Sequence, residues 1–107
     1  MKYRKRPVVI EAVKFNMVEY VKNGYEHLDW FSEYPEWLKD GIENGEILVN
    51  ANRNSLDYVT LDIKTNEGVM TCYPYDYIIK EPFPTSDRRF YPCKPDIFEQ
   101  TYEEVKG

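Results

Sequence analysis

The side chains with the most chemical reach lie near the end of the chain, in FYPCKPDIFEQTYEEV, Phe90 to Val105. Cys93 stands beside Lys94 and just ahead of an amphipathic run. A neighbouring ammonium and a helix N-terminus both lower a thiol pKa, so one reading is a reactive nucleophile. The other is a small thiol packed beneath a corner. A Cys/His pair needs His27, the single histidine, to arrive from a distant segment. Cys72 and Cys93 are too far apart for a Cys-x-x-Cys pair, and two cysteines with one histidine make a poor zinc set. The packed thiol is the reading adopted, with no metal and no cofactor expected.

Carboxylates offer little more. Asp57 and Asp62 flank one expected strand and Asp76 precedes another, but their spacing matches no acid–base motif, and all three read as solvated strand-end charges. There is no glycine-rich phosphate loop, no Gly-x-Ser-x-Gly and no His-Glu-x-x-His. A binding protein is expected rather than an enzyme.

One constellation suits binding. Arg4, Lys5 and Arg6 precede the first expected strand. Arg88, Arg89 and Lys94 bracket the last, with Phe90 and Tyr91 between them. If those two strands are neighbours, cations and rings converge, as a nucleotide-type anion requires: guanidinium for phosphate, ring for base. The candidate ligand-binding residues are Arg4, Arg6, Arg89, Tyr91 and Lys94. The alternative is that these are sheet-edge charges that oppose aggregation. A separate candidate surface for a protein partner is an acidic helix bearing Glu36, Asp40 and Glu43, able to imitate a row of phosphates.

The elements that must position these groups can be read from periodicity. Val8–Phe15 reads as a strand with Ile10, Ala12 and Val8 towards the core and Glu11 outward. Asn16–Tyr34 is hard to read: Met17–Val21 suggests a helical turn or two, Asn23-Gly24 a stop, and Leu28, Trp30 and Phe31 burial. Pro35–Asn44 reads as a helix with Pro35 at its first position, Leu38 and Ile42 on one face beside Trp37, and Gly45 as the left-handed residue past its end. Glu46–Asn50 is a short strand and Ala51–Asp57 a loop. Tyr58–Thr65 alternates, with Val59, Leu61 and Ile63 on one face. Asn66-Glu67-Gly68 reads as a hairpin turn returning through Val69–Tyr73. Tyr77–Lys80 and Arg89–Tyr91 are further strands, with Pro82–Asp87 a loop between them. Asp96 and Glu99 have the spacing of a capping box, which predicts a helix over about 96–104 with an apolar face of Ile97, Phe98 and Tyr102. Pro92 and Pro95 make YPCKP a rigid corner leading into it.

These elements predict one α+β domain over residues 1–107. It is a small antiparallel sheet or partly closed barrel with a mid-chain helix at about 35–44 and a short C-terminal one. A chain of 107 residues buries roughly two thirds of its unfolded surface, enough for one core without disulfides or metal. The ten tyrosines suit half-buried edges and binding faces. The net charge of −5, from 19 acidic and 14 basic residues, argues against nonspecific nucleic-acid binding. The charge is uneven: Lys2, Arg4, Lys5 and Arg6 crowd the first six residues, while Ser32–Glu46 carries five acids and one lysine. The basic start is not followed by an apolar run, because Glu11 and Lys14 interrupt Val8–Phe15. No export signal, no membrane span and reduced cysteines are therefore expected.

KYRKRPVVIEAVKF, YPEWLKDGI, DYIIK and FYPCKPDIFEQTYEEV together resemble a family of short phage and prophage proteins. Its members open with a KYRKKPVVIEA-like run and close with a GDYIIKG…YPCKPDIFE.TYE-like run. The chain departs from that pattern in carrying Tyr75-Asp76 in place of Gly-Asp. It also has the longer EPFPTSDRR, Glu81 to Arg89, in place of a tight turn. The family is uncharacterised, so the resemblance implies a setting rather than catalytic residues: a small accessory protein in the cytoplasm of an infected bacterium. The function expected is stoichiometric binding in counter-defence, directed at a nucleotide-type immune signal or a host defence protein. The alternative is a virion-assembly or structural accessory that oligomerises through a sheet edge; a small enzyme is the third reading and requires His27 within hydrogen-bond reach of Cys93 or Asp76.

Overall fold

A computed structural model of the chain describes residues 1–4, 7–16, 30–51, 59–65, 67–85 and 88–105. The element order is β1 (Glu11–Lys14), α1 (Glu36–Glu43), β2 (Ile47–Ala51), β3 (Val59–Thr65), β4 (Gly68–Cys72), β5 (Tyr77–Thr85), β6 (Arg88–Cys93) and α2 (Pro95–Thr101). The strands form two antiparallel sheets, ordered β1-β5-β6 and β2-β3-β4. The fold is α+β, as the periodicity predicts.

The best-patterned segments fold as read. Val59, Leu61 and Ile63 alternate along β3 and are all buried, while Thr60, Asp62 and Lys64 face out. Gly68 opens β4 at φ +108°, a conformation glycine enters without steric cost. Gly45 closes α1 at φ +82°. Pro35 is the N-cap rather than the first helical residue, and its carbonyl accepts from the amide of Lys39 at 3.2 Å. Trp37 and Leu38 are buried, and Ile42 packs at the edge of the same core.

Three expectations need correction. First, β1 is shorter than Val8–Phe15 and faces the other way. Val13 and, just past its end, Phe15 point into the core, Ile10 and Ala12 are only partly covered, and Val8 is exposed. Phe15 decides this: its ring fills the core against Trp30 and Phe31, with centroids 6.4 and 5.5 Å away. Once Phe15 points inward, a period of two turns Ala12 outward. Second, Pro82–Asp87 is not a plain loop, since β5 continues to Thr85 and β6 begins at Arg88. Pro82 and Pro84 cannot donate to the ladder, so the pairing slips between Lys80 and Thr85. Third, Asp96 does not cap α2. Lys94 is the N-cap, Pro95 takes the first turn, and no side chain caps the end. The first helical bond runs from the amide of Phe98 to the carbonyl of Lys94 at 2.8 Å, which places Asp96 already inside the helix. Of the predicted face, Phe98 and Tyr102 pack but Ile97 is exposed. The readings of Lys5, Arg6, Met17–Val21, Asn23-Gly24, His27, Leu28, Asp57 and Asn66 lie outside the described residues.

The core fills the space between the inner faces of the two sheets and α1. Val13, Phe15, Ile78 and Phe90 come from one sheet, Ile47, Val59, Leu61, Ile63 and Cys72 from the other, and Trp37 and Leu38 from the helix. Each fully buried aliphatic or aromatic side chain contributes roughly 1.5–3 kcal/mol by leaving water. The outer face of the first sheet carries a second, smaller layer. Antiparallel register aligns Lys14, Tyr77 and Cys93 in one row and Ala12, Ile79 and Tyr91 in the next. Helix α2 lies over this face, with Phe98 stacked on Tyr77 at 3.8 Å and 10°. That arrangement brings the end of β1, the start of β5 and the β6–α2 corner together.

Gly41 marks the tightest approach of α1 to the core. A Cβ there would meet Phe90 Cε2 at 2.8 Å and Ile47 Cδ1 at 2.9 Å. The Ile47 methyl can turn away, but the Phe90 ring is fully buried and stacked on Trp37 at 5.7 Å. Gly41→Ala should therefore destabilise the fold by about 1–2 kcal/mol, because overpacking outweighs the roughly 1 kcal/mol gain in helix propensity. Urea unfolding of the two proteins measures the difference, and a more stable alanine variant would contradict this packing.

Candidate functional site

The site is built around Asp76. This carboxylate, expected to be solvated, is 3 % exposed. Its Oδ2 accepts from the amide of Tyr73 at 2.9 Å and from Lys94 Nζ at 2.9 Å. The amide of Asp76 donates to the carbonyl of Tyr73 at 3.0 Å, closing a four-residue turn, Tyr73-Pro74-Tyr75-Asp76. The turn connects the two sheets, since β4 ends just before it and β5 begins just after. It is also bonded to β1: the amide of Tyr75 donates to the carbonyl of Phe15 at 2.6 Å, and the amide of Phe15 donates to that of Asp76 at 2.9 Å.

Tyr75 has φ +76°, alone among the described non-glycine residues. With proline before it and the 4→1 bond, the turn is type II, whose third position ordinarily holds glycine. A bulky side chain there costs roughly 1–2 kcal/mol of backbone strain. The ring is 53 % exposed, so core burial does not compensate.

Two lysines attend the three rings of this segment. Lys94 Nζ lies 4.4 Å from the centroid of Tyr73, which is itself 44 % exposed. Lys14 Nζ lies 5.8 Å from the centroid of Tyr75 and 5.7 Å from that of Tyr77. The lysines differ in electrostatic state. Lys94 is neutralised by Asp76, whereas no carboxylate of the described residues pairs with Lys14. Cation–π contacts at such half-exposed positions contribute about 0.5–1 kcal/mol each. Tyr77 is held from beneath by Phe98, which also meets Tyr102 at 5.0 Å.

The residues proposed from sequence are distributed differently. Strands β1 and β6 are not neighbours, because β5 lies between them, so the condition for their cations to converge is not met. Arg4 is exposed, seven residues ahead of β1, and Arg6 lies outside the described residues. Arg89 forms an ion pair with Glu46 at 2.8 Å and covers the Phe90 ring at 5.1 Å. It is separated from Lys94 by five residues of extended chain, roughly 16 Å. Tyr91 is partly buried, opposite Ile79 on the outer face. Of the candidate set, only Lys94 stands at the Asp76 turn. Glu36, Asp40 and Glu43 are all exposed on one face of α1, with Lys39 3.5 Å from Glu36. Lys14, Tyr73, Tyr75, Asp76 and Tyr77 were not selected from the sequence. Their signal was the density of YPYDY and a proline turn with no glycine in its third position.

Neither thiol has the environment of a nucleophile. Burial pushes the Cys72 thiol up, the Asp76 carboxylate pushes it further, and Lys94 only partly opposes them. Cys93, expected to be lowered by Lys94 and the helix end, is also raised, by desolvation first and then by Asp76 and Asp96. Lys94 itself is paired with Asp76 at 2.9 Å. Among the described residues no three His, Cys, Asp or Glu side chains group as metal ligands. Among the described residues no helix is long and apolar enough to cross a membrane. No family model, curated protein or solved structure matches the chain.

Two outcomes follow from this geometry. Lys94→Met keeps the packed stem but leaves the buried Asp76 carboxylate with only the Tyr73 amide. Because Lys94 is half exposed, water takes over part of its role, and the expected loss is about 1–3 kcal/mol in urea unfolding. For the thiols, iodoacetamide at pH 7 should modify Cys93 more slowly than a free cysteine and Cys72 only after unfolding. Both thiols bind their protons more tightly folded than unfolded. Their stabilising contribution is therefore full below the ordinary thiol value of 9.0 and declines as pH rises beyond it. A melting temperature that rises between pH 9 and 10.5, with Cys72→Ala abolishing the rise, would contradict that sign.

Proposed function

We propose that this is a phage-encoded accessory protein that acts by stoichiometric binding in counter-defence, sequestering a nucleotide-type immune signal in the host bacterial cytoplasm. One observation supports the binding reading above others. Two half-exposed tyrosine rings, Tyr73 and Tyr75, are each attended by a lysine ammonium at a rigid turn. Rings that stack and ammoniums that meet phosphate are the two components nucleotide recognition needs. The small number of cations and the net charge of −5 favour a small anion over a polynucleotide. The phage setting rests on the resemblance of the KYRKRPVVIEAVKF and FYPCKPDIFEQTYEEV runs.

A second reading is favoured by the exposure of Glu36, Asp40 and Glu43 on one face of α1: occlusion of a basic site on a host defence protein. Charge reversal at these three positions would abolish that activity while leaving nucleotide binding intact.

The test is a thermal-shift and calorimetric screen against cyclic mono- and dinucleotides and ADP-ribose. A ligand at 100 times its Kd stabilises the folded state by about 2.7 kcal/mol. For a domain of this size, that raises Tm by on the order of 10 °C. No shift with any member of the panel, at tens of micromolar protein and millimolar ligand, would remove the sequestration reading.

A further inference from the structure

The intramolecular contacts of Tyr75 do not account for its presence. The ring occupies a backbone position where glycine is easier, is more than half exposed, and gains one cation–π contact from Lys14. A residue held in a sparsely populated conformation persists when its surroundings enforce it. Here the bonds from Tyr75 to Phe15 and from Asp76 to Tyr73 do so. Lys14 is unusual in the complementary sense: its ammonium lies 5.8 and 5.7 Å from two ring centroids, and no carboxylate of the described residues neutralises it. The other lysine of the turn already has its anion, Asp76. The turn thus has one committed cation, one uncommitted cation, and an aromatic ring displayed beside the uncommitted one.

We infer that Lys14 and Tyr75 form the contact pair for a ligand that joins a planar ring to a phosphate, the ring stacking on Tyr75 and the phosphate meeting Lys14. This deepens the sequestration reading and rests on it. The hydrogen-bonded turn fixes the backbone from which the Tyr75 ring projects, so no backbone ordering remains to be done on binding. Tyr77 is a poorer platform, because Phe98 already occupies one of its faces and Lys14 approaches it as well. Lys94 belongs to the fold rather than to the ligand: its ion pair with Asp76 would have to break before it could serve a phosphate. Tyr73, 44 % exposed in the same turn, offers a second ring for a ligand with two bases.

The test is calorimetric titration of the full chain with ADP-ribose, and with adenosine and ribose 5-phosphate as probes lacking the charge and the ring. ADP-ribose should bind at least about tenfold more tightly than either. Tyr75→Gly and Lys14→Met should each weaken ADP-ribose by about tenfold or more. Thermal unfolding separates display from structure. Tyr75→Gly should melt at or above the wild-type temperature, whereas a ring that merely packs would lower it. Tyr75→Asn, which tolerates positive φ with less freedom in the unfolded chain, repeats the measurement should the glycine variant not fold. Tight ADP-ribose binding that survives both Tyr75→Gly and Lys14→Met would overturn this site and leave sequestration standing. So would ribose 5-phosphate binding as tightly as ADP-ribose. Failure of the wild-type protein to bind ADP-ribose overturns the inference, and a blank result across the wider nucleotide panel removes the functional reading as well.

Discussion

The fold depends on a buried carboxylate. Asp76 sits where the two sheets meet, and its side chain and backbone together bond to Tyr73 at the end of β4, Phe15 at the end of β1 and Lys94 at the β6–α2 corner. An isolated carboxylate at this depth would be costly, and a charge removed from water is tolerated only when hydrogen-bonded and paired. The Tyr73 amide and the Lys94 ammonium meet both needs. Lys94 therefore cannot leave without cost, which fixes the corner that launches α2. Phe98 can then reach Tyr77, and the outer face of the first sheet is covered. The turn at Asp76 and the helix at Pro95 are consequences of one electrostatic constraint.

That constraint also explains which parts of the fold were legible in the sequence. Features encoded by near neighbours could be read. The alternation of Val59, Leu61 and Ile63 needs only a period of two, and Gly45 and Gly68 mark their turns through backbone freedom alone. Features set by distant partners could not. The facing of β1 depends on Trp30 and Phe31 receiving the Phe15 ring. The burial of Asp76 depends on a lysine 18 residues away. The capping-box spacing at Asp96 was overridden by Pro95, which starts the helix one residue earlier. Pro82 and Pro84 suggested a loop because prolines disrupt a ladder, but β5 accommodates them with a register slip.

The candidate site shows the same division more sharply. The cations singled out from the sequence are grouped by nearness to the first and last strands, and nearness in sequence does not set sheet order. The sheet order puts β5 between those strands, and Arg89 is drawn to Glu46 at the start of β2. The lysine and tyrosines that do converge come from β1 and from the β4–β5 turn, which only the register Lys14↔Tyr77 brings together. That the turn Tyr73-Pro74-Tyr75-Asp76 holds no glycine was visible from the start. What it means became readable only with φ +76° at Tyr75, since the same residue in an ordinary turn conformation would carry no strain.

A protein of net charge −5 that binds an anion must do so locally, against the field of its own surface. Most cations with a described partner are already matched within the fold: Lys94 with Asp76, Arg89 with Glu46, Lys80 with Glu11 and Lys39 with Glu36. These pairs make little net attraction for a polyanion, which gains affinity by meeting many phosphates at once. A small ligand has a different requirement. It needs one ammonium without a carboxylate and one ring fixed within reach, and its remaining affinity comes from stacking, which salt screens little. In the proposed site Lys14 answers the first requirement and Tyr75 the second. The selectivity expected of such a surface is for ligands that carry ring and phosphate together, since either component alone engages only half of it.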